Sequence, residues 1–177
     1  MTRLDSAIRR LTAQRDVLDW ASREIAPSGL VLELGLGNGR TYDHLRTRLA
    51  GREIFAFERC LAAHPDCIPP DGRLIFGDIF ETLPIFIEKH GEHSAALVHA
   101  DIGSGDEELN RALARDLSPL IERVLQPGGL LIADRAFDLP SCRDISAQTG
   151  VLKNRYFVHR RETQEQPAGS RIAATAR

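Results

Sequence analysis

The stretch Leu30-Val31-Leu32-Glu33-Leu34-Gly35-Leu36-Gly37-Asn38-Gly39 constrains the fold of this 177-residue chain more than any other. Its first half is apolar but for one acid, with β-branched Val31, and reads as a short strand buried on both faces. Glycine at positions 35, 37 and 39 then reads as a turn, and a helix follows over residues 40–49. Glycine lets the backbone take positive φ and approach a ligand with no Cβ in the way. Strand, glycine turn and helix form the first βα unit of a doubly wound α/β sheet, whose ligands bind at the carboxyl edge.

The local chemistry narrows the ligand. A dinucleotide fingerprint is G-x-G-x-x-G, with the pyrophosphate on the helix N-terminus. Here the spacing is G-x-G-x-G, and Arg40 stands where the third fingerprint glycine belongs. Glu33 precedes the first glycine by two residues. A carboxylate there repels a pyrophosphate and attracts an ammonium or a sulfonium. S-adenosylmethionine carries both cations and no phosphate, so the turn favours it over NAD.

Glu33-Leu34-Gly35-Leu36-Gly37-Asn38-Gly39 resembles the first motif of class I S-adenosylmethionine-dependent methyltransferases, (Asp/Glu)-x-Gly-x-Gly-x-Gly. The resemblance implies a Rossmann-like, mostly parallel sheet of seven (or six) strands with helices on both faces, and S-adenosyl-L-methionine as cofactor. It places Glu33, Gly35, Leu36, Gly37, Asn38, Gly39 and Thr41 at the cofactor.

The rest of the chain supplies the other parts in order. Residues 3–25 read as a helix whose apolar stripe is Leu4, Ile8, Leu11, Leu18, Ala21 and Ile25, opposite Arg9, Arg10, Arg15 and Arg23. It is expected either to pack on the sheet edge with a solvated charged face, or to act as a lid or a homo-oligomer contact. Residues 52–58 read as a second strand ending at Glu58. An acid about 20 residues beyond the glycines takes ribose hydroxyls in the nucleotide-binding plan, and the resemblance implies the same for Glu58, with Arg59 beside it; a surface acid is the plainer alternative. A third strand over 73–76 is followed by Gly77-Asp78-Ile79, the position at which methyltransferases hold adenine. Asp78 is equally suited to cap the next helix, and the two roles are compatible. Residues 95–100 read as a fourth strand ending at Asp101. The resemblance brings Asp101, and with it His99, nearest the transferring methyl; a buried strand histidine is otherwise a hydrogen-bonded core residue. A helix over 107–125 presents Leu109, Leu113, Leu117, Leu120, Ile121 and Val124 inward. Residues 126–134, Gln-Pro-Gly-Gly-Leu-Leu-Ile-Ala-Asp, are similar to the Pro-Gly-Gly turn and fifth strand of the same family. Residues 155–160 are expected as a strand, paired with 171–176 across a turn at 166–170. The chain thus reads as one domain over 1–177: an N-terminal helix (1–28), a cofactor-binding core (29–135) and C-terminal strands (136–177).

Composition limits the partners. Net charge is −2 and pI is near 6.3, giving no global basic field for duplex nucleic acid or an anionic membrane. Cys60, Cys67 and Cys142 lack metal-ligand spacing and read as reduced thiols, so a cytoplasmic setting is expected. No apolar run approaches the roughly 18 residues of a membrane span.

The expected activity is in-line methyl transfer to a small-molecule acceptor, with Asp101 or His99 as base if the nucleophile must lose a proton. The alternatives are a non-catalytic cofactor-binding module and, less favoured by Glu33 and Arg40, a nicotinamide-dependent oxidoreductase. After the fourth strand, Asp101-Ile102-Gly103-Ser104 departs from the Asn/Asp-Pro-Pro-Tyr of amino-group methyltransferases. Catechol-type enzymes hold magnesium with an Ala-Asp-Asn at the end of strand five. Here that end is Ala133-Asp134-Arg135, and a guanidinium is a poor substitute for an oxygen ligand, so no metal is expected. Arg135 is expected to grip an anionic acceptor, to face solvent, or to pair with Asp138.

Overall fold

A computed structural model describes residues 1–150 and 155–163. The chain order is α1 (Arg3–Glu24), β1 (Leu30–Leu34), α2 (Arg40–Arg48), β2 (Ile54–Glu58), β3 (Leu74–Phe76), α3 (Ile79–His90), β4 (Ala95–Ala100), α4 (Glu107–Val124), β5 (Leu125–Ala133), β6 (Cys142–Asp144) and β7 (Phe157–Arg161). The seven strands form one sheet in the order β3-β2-β1-β4-β5-β7-β6. The first five are parallel; β7 runs antiparallel to β5, and β6 antiparallel to β7. This is the doubly wound, mostly parallel arrangement that the sequence implies.

Each face of the sheet has its own core, because successive strand residues alternate between faces. Leu32, Leu34, Phe55, Phe57, Val98 and Leu131 meet α3 and α4 through Leu83, Phe86, Leu117 and Ile121. Val31, Ala56, Leu97, Leu130 and Ile132 meet α1 and α2 through Val17, Leu18, Ala21 and Leu45. Glu33 and His99 share the parity of Val31 and Leu97, which carries them into the second core rather than off the sheet edge.

Several expectations are corrected. The α1 helix lies on the sheet face against α2 and β5, not on the sheet edge. Its buried side is Ala13, Gln14, Val17, Leu18 and Ala21, whereas Leu4, Ile8 and Leu11 are 69%, 54% and 37% exposed. Gln14 reaches the carboxyl end of β4, and the ten helical residues before Ala13, about 15 Å of helix, lie beyond the buried part of α1. The Pro127-Gly128-Gly129 segment is not a separate turn but an irregularity within β5: Ala95 registers with Leu125 and Leu97 with Leu130. The partner of β7 on its outer side is β6, a three-residue strand that the sequence did not signal. The pairing expected of 171–176 lies outside the described residues. Among the described residues, no helix is long and apolar enough to cross a membrane.

The division of α1 is measurable. Leu18→Ala should cost about 2–5 kcal/mol of stability in urea unfolding, the scale for emptying a packed site. Leu4→Ala and Ile8→Ala should each stay within about 0.5 kcal/mol. A large loss from the latter two in the monomer would show that the overhang packs on the domain.

Candidate functional site

The sheet's connections diverge between β1 and β4, since β1 leads outward to β2 while β4 leads to β5 on the other side. That switch point is where an open α/β sheet leaves a crevice at its carboxyl edge. Gly35, the first residue beyond β1, has φ 87°, and a Cβ there would strike the Ile102 side chain beyond β4. Only glycine lets the two turns close this tightly. The crevice is a cavity of about 430 Å³.

Both turns and the ends of β2 and β3 line it. Of the residues singled out in the sequence, Gly35, Gly37, Glu58, Arg59, Gly77, Asp78, Ile79 and Asp101 are at its wall. Glu33, Leu36, Asn38, Gly39, Thr41 and His99 are not. Phe57, Phe80, Ile102, Gly103, Ser104, Leu109, Asn110 and Leu113 complete the wall without having been singled out as site residues. Leu109 and Leu113 carried a readable but misleading signal: their helical spacing fits a core face, and here that face closes the cavity. Ser104 and Asn110 are cross-linked, the Ser104 N–H donating to Asn110 Oδ1 and Asn110 Nδ2 to the Ser104 carbonyl, both at 2.8 Å.

Glu58 does more than end a strand. Its Oε2 accepts the Gly37 N–H at 2.8 Å, and its Oε1 accepts the N–H groups of Arg59 and Cys60 at 2.9 and 3.0 Å. A carboxylate has about four acceptor sites, so one remains for a hydroxyl in the cavity. Asp78 caps α3, its Oδ1 accepting from the Phe80 N–H at 2.8 Å, while its residue also lines the cavity.

Asp101 is covered by α1. Its Oδ2 accepts from Gln14 Nε2 at 2.7 Å and lies 3.7 Å from an Arg10 guanidinium nitrogen. Tyr156 also reaches Arg10, and burial pushes its phenol up, helped by the Asp101 charge. Tyr156 is therefore a neutral hydroxyl at ordinary pH.

Behind the cavity, Glu33 and His99 are both fully buried, and His99 Nδ1 lies 2.8 Å from Glu33 Oε2. Thr41 donates its hydroxyl to the other Glu33 oxygen. Burial opposes charge on His99, but the Glu33 carboxylate, with Asp101 and Asp134 beyond it, outweighs that and raises its pKa. The Glu33 charge is thereby met inside the core rather than presented to the ligand.

Beyond β5, Arg135 forms a two-pronged pair with its neighbour Asp134, at 2.8 and 2.7 Å, rather than with Asp138. Its guanidinium lies over Gly103, where any Cβ would collide with it. Among the described residues, no group of three or more His, Cys, Asp or Glu is arranged to hold a metal ion.

A family model described as S-adenosyl-L-methionine methyltransferase matches residues 1–161. The chain belongs to that family. This methyltransferase is 46% identical to an S-adenosyl-L-methionine methyl transferase of Silicibacter pomeroyi of known crystal structure, with TM-score 0.84 over 91% of this chain and 99% of that one. It shares its fold, at 13% identity and TM-score 0.55, with a Methanococcus maripaludis protein assigned to the S-adenosyl-L-methionine-dependent methyltransferases, over 92% of this chain and 90% of that one. A Staphylococcus aureus protein assigned as a caffeoyl-CoA O-methyltransferase shares the fold at 12% identity and TM-score 0.51, over 92% and 85% of the two chains. No curated protein matches the chain.

The methyltransferase's cofactor is S-adenosyl-L-methionine, and the cavity fits it. Three carboxylates (Glu58, Asp78 and Asp101) face one guanidinium (Arg59) along the wall, an excess of negative charge that suits a sulfonium and an ammonium. Gly37 leaves open space where a side chain would project. Glu58, Asp78 and Ile79, the residues that the sequence resemblance assigns to ribose and adenine, all line this cavity.

Glu58→Ala should weaken S-adenosylhomocysteine binding by about 1.5–3 kcal/mol, the scale for hydrogen bonds to a charged group. Glu58→Gln should lose less, because its amide oxygen can still accept the Gly37 N–H. Calorimetry checks both; unchanged affinity in a folded Glu58→Ala variant would make Glu58 a surface acid.

Proposed function

We propose that this methyltransferase acts on a small molecule, at an oxygen or nitrogen that gives up a proton as it is methylated, with Asp101 as the proton acceptor. The observation that carries the reading is that Asp101 both lines the cavity and is engaged by two donors from α1, Gln14 and Arg10. Both donors approach Oδ2, which leaves Oδ1 to accept from an O–H or N–H in the cavity. His99 is fully buried behind the wall, so it is a weaker candidate for proton transfer than Asp101.

Bound S-adenosylmethionine supplies a methyl group on a sulfonium, an electrophile that needs no further activation by the protein. The chain's own contribution is then to position the acceptor and to take its proton at an Asp101 carboxylate oxygen. Gln14 and Arg10 need not release the carboxylate for that, since both engage Oδ2 and neither engages Oδ1. Arg135 is already paired with Asp134, which argues against its serving as a grip for an anionic acceptor.

The same pairing supports a metal-independent reaction. A magnesium site at the ends of β4 and β5 would need several oxygen ligands, and Asp134 is engaged by a permanent cation. Charges around the cavity are mixed rather than a basic stripe, which supports a small acceptor over a duplex nucleic acid. The three free thiols of Cys60, Cys67 and Cys142 suit a reducing, cytoplasmic setting. The grip of α1 on Asp101 would also suit a non-catalytic cofactor-binding role, which the transfer assay separates.

In a transfer assay over small hydroxyl and amine acceptors, Asp101→Asn should lower kcat by roughly 10²–10⁴-fold, the usual size of a general-base contribution. S-adenosylhomocysteine affinity should change little. Failure of every acceptor with intact cofactor binding would favour the non-catalytic role. A chelator should leave the rate unchanged; loss of activity restored by magnesium would overturn the metal-independent reading.

A further inference from the structure

We propose that Thr41, Glu33 and His99 form a buried bridge that holds the glycine turn in its cofactor-binding shape, with His99 as a positioning residue. The bridge rests on the cofactor site described above and not on the identity of the acceptor.

Glu33 and His99 are register partners on adjacent parallel strands, so their side chains leave the sheet side by side. Both are fully buried, and the neighbours on that face include Val31, Leu97, Ile132 and Leu45, all apolar. An apolar pair of similar volume at such a place is commonly as stable as an ion pair or more so, because two charges must be stripped of water. The pair is therefore costly for folding alone, and its use lies in what it fixes.

What it fixes is visible from the other end. The N-cap of α2 is Gly39, with φ 82° and no side-chain capping bond. The first turn of α2 is tethered instead from below, by the Thr41 hydroxyl to Glu33. Together with the Gly37 N–H on Glu58, this fixes the glycine turn at its middle and at its exit. Glu33 in turn is oriented by His99 Nδ1 on β4, the strand that ends beside Asp101. A carboxylate between a hydroxyl and an imidazole thus joins the cofactor turn to the transfer end of the sheet. The His99 Nε2 is buried with no hydrogen-bond partner, so the ring is held through its other nitrogen.

The groups facing His99 are Glu33 from β1, Asp101 beyond β4 and Asp134 beyond β5. Arg10 and Arg135 pair with those two aspartates, and Gln14 of α1 and Thr41 of α2 are neutral. With its pKa raised above 6.5, the imidazolium's contribution is complete below about pH 6.5 and is lost as pH rises through the raised value. The order of the glycine turn, and with it cofactor affinity, should fall on that alkaline side.

The test is calorimetry of S-adenosylhomocysteine with wild type, Thr41→Val, His99→Leu, their double variant and His99→Asn across pH, beside thermal unfolding. Wild-type binding checks the cofactor site by itself. Thr41→Val and His99→Leu should each weaken binding by about tenfold, the loss expected for one hydrogen bond to a charged group. The double variant should be little worse than either, since both break one bridge. In His99→Asn the amide N–H can replace Nδ1–H, so most of the affinity should return and the alkaline fall should disappear. Thr41→Val and His99→Asn keep the test decisive if His99→Leu does not fold. Variants that lower the melting temperature yet bind as wild type does would overturn the proposal, as would an alkaline fall that persists in His99→Asn.

Discussion

The glycine turn after β1 is the constraint on which the site depends, and it is held by the buried Leu36 side chain and by hydrogen bonds. The Gly35 N–H meets the Phe57 carbonyl at 2.9 Å, and the Gly37 N–H meets Glu58. Thr41 closes the far end on Glu33. With glycine at three of its five positions, the turn has only Leu36 in the core and Asn38 on the Arg40 N–H as side-chain anchors of its own, and acids from β1 and β2 supply the rest. Those acids lie in opposite surroundings. Glu58 stays at the cavity wall, where its remaining acceptor capacity can meet a hydroxyl. Glu33 is fully buried and meets an imidazole.

The second half of the site is built by the turn after β4 and by α1. Asp101 stands where the two meet, lining the cavity while engaged by Gln14 from α1. The overhang leaves Leu4, Ile8 and Leu11 exposed. A helix fixed to the core only through its later turns can lift its first turns at low cost. Of the two contacts to Asp101, only Arg10 belongs to those first turns, whereas Gln14 is held in the buried part of the helix.

Much of this was legible in the sequence because it follows from short-range pattern. The buried strand, the alternate glycines, the acid ending β2 and the aspartate after β3 all sit at the ends of elements, where position alone decides what a side chain can meet. Glu33 was legible as an acid but not as a buried one. Its parity with Val31 turns it into the α1–α2 core, and seeing this required knowing that His99 lies opposite. The apolar spacing of Leu109 and Leu113 reads as a core face, yet both line the cavity and Leu109 is 63% exposed, because the helix begins beyond the sheet residues that would bury it. The register of α1 was missed for a related reason: Leu4, Ile8 and Leu11 continue the apolar spacing beyond the buried part of the helix. β6 has three residues and no period to read.

A crystal structure of the protein with S-adenosylhomocysteine tests the central claim most directly. A ribose hydroxyl should lie within hydrogen-bond distance of Glu58, the adenine beside Asp78 and Ile79, and the sulfur end toward Asp101, with the Thr41–Glu33–His99 contacts retained. Ligand density elsewhere, such as in the cleft of about 370 Å³ between Trp20 and Gly150, or a ribose that does not meet Glu58, would contradict it.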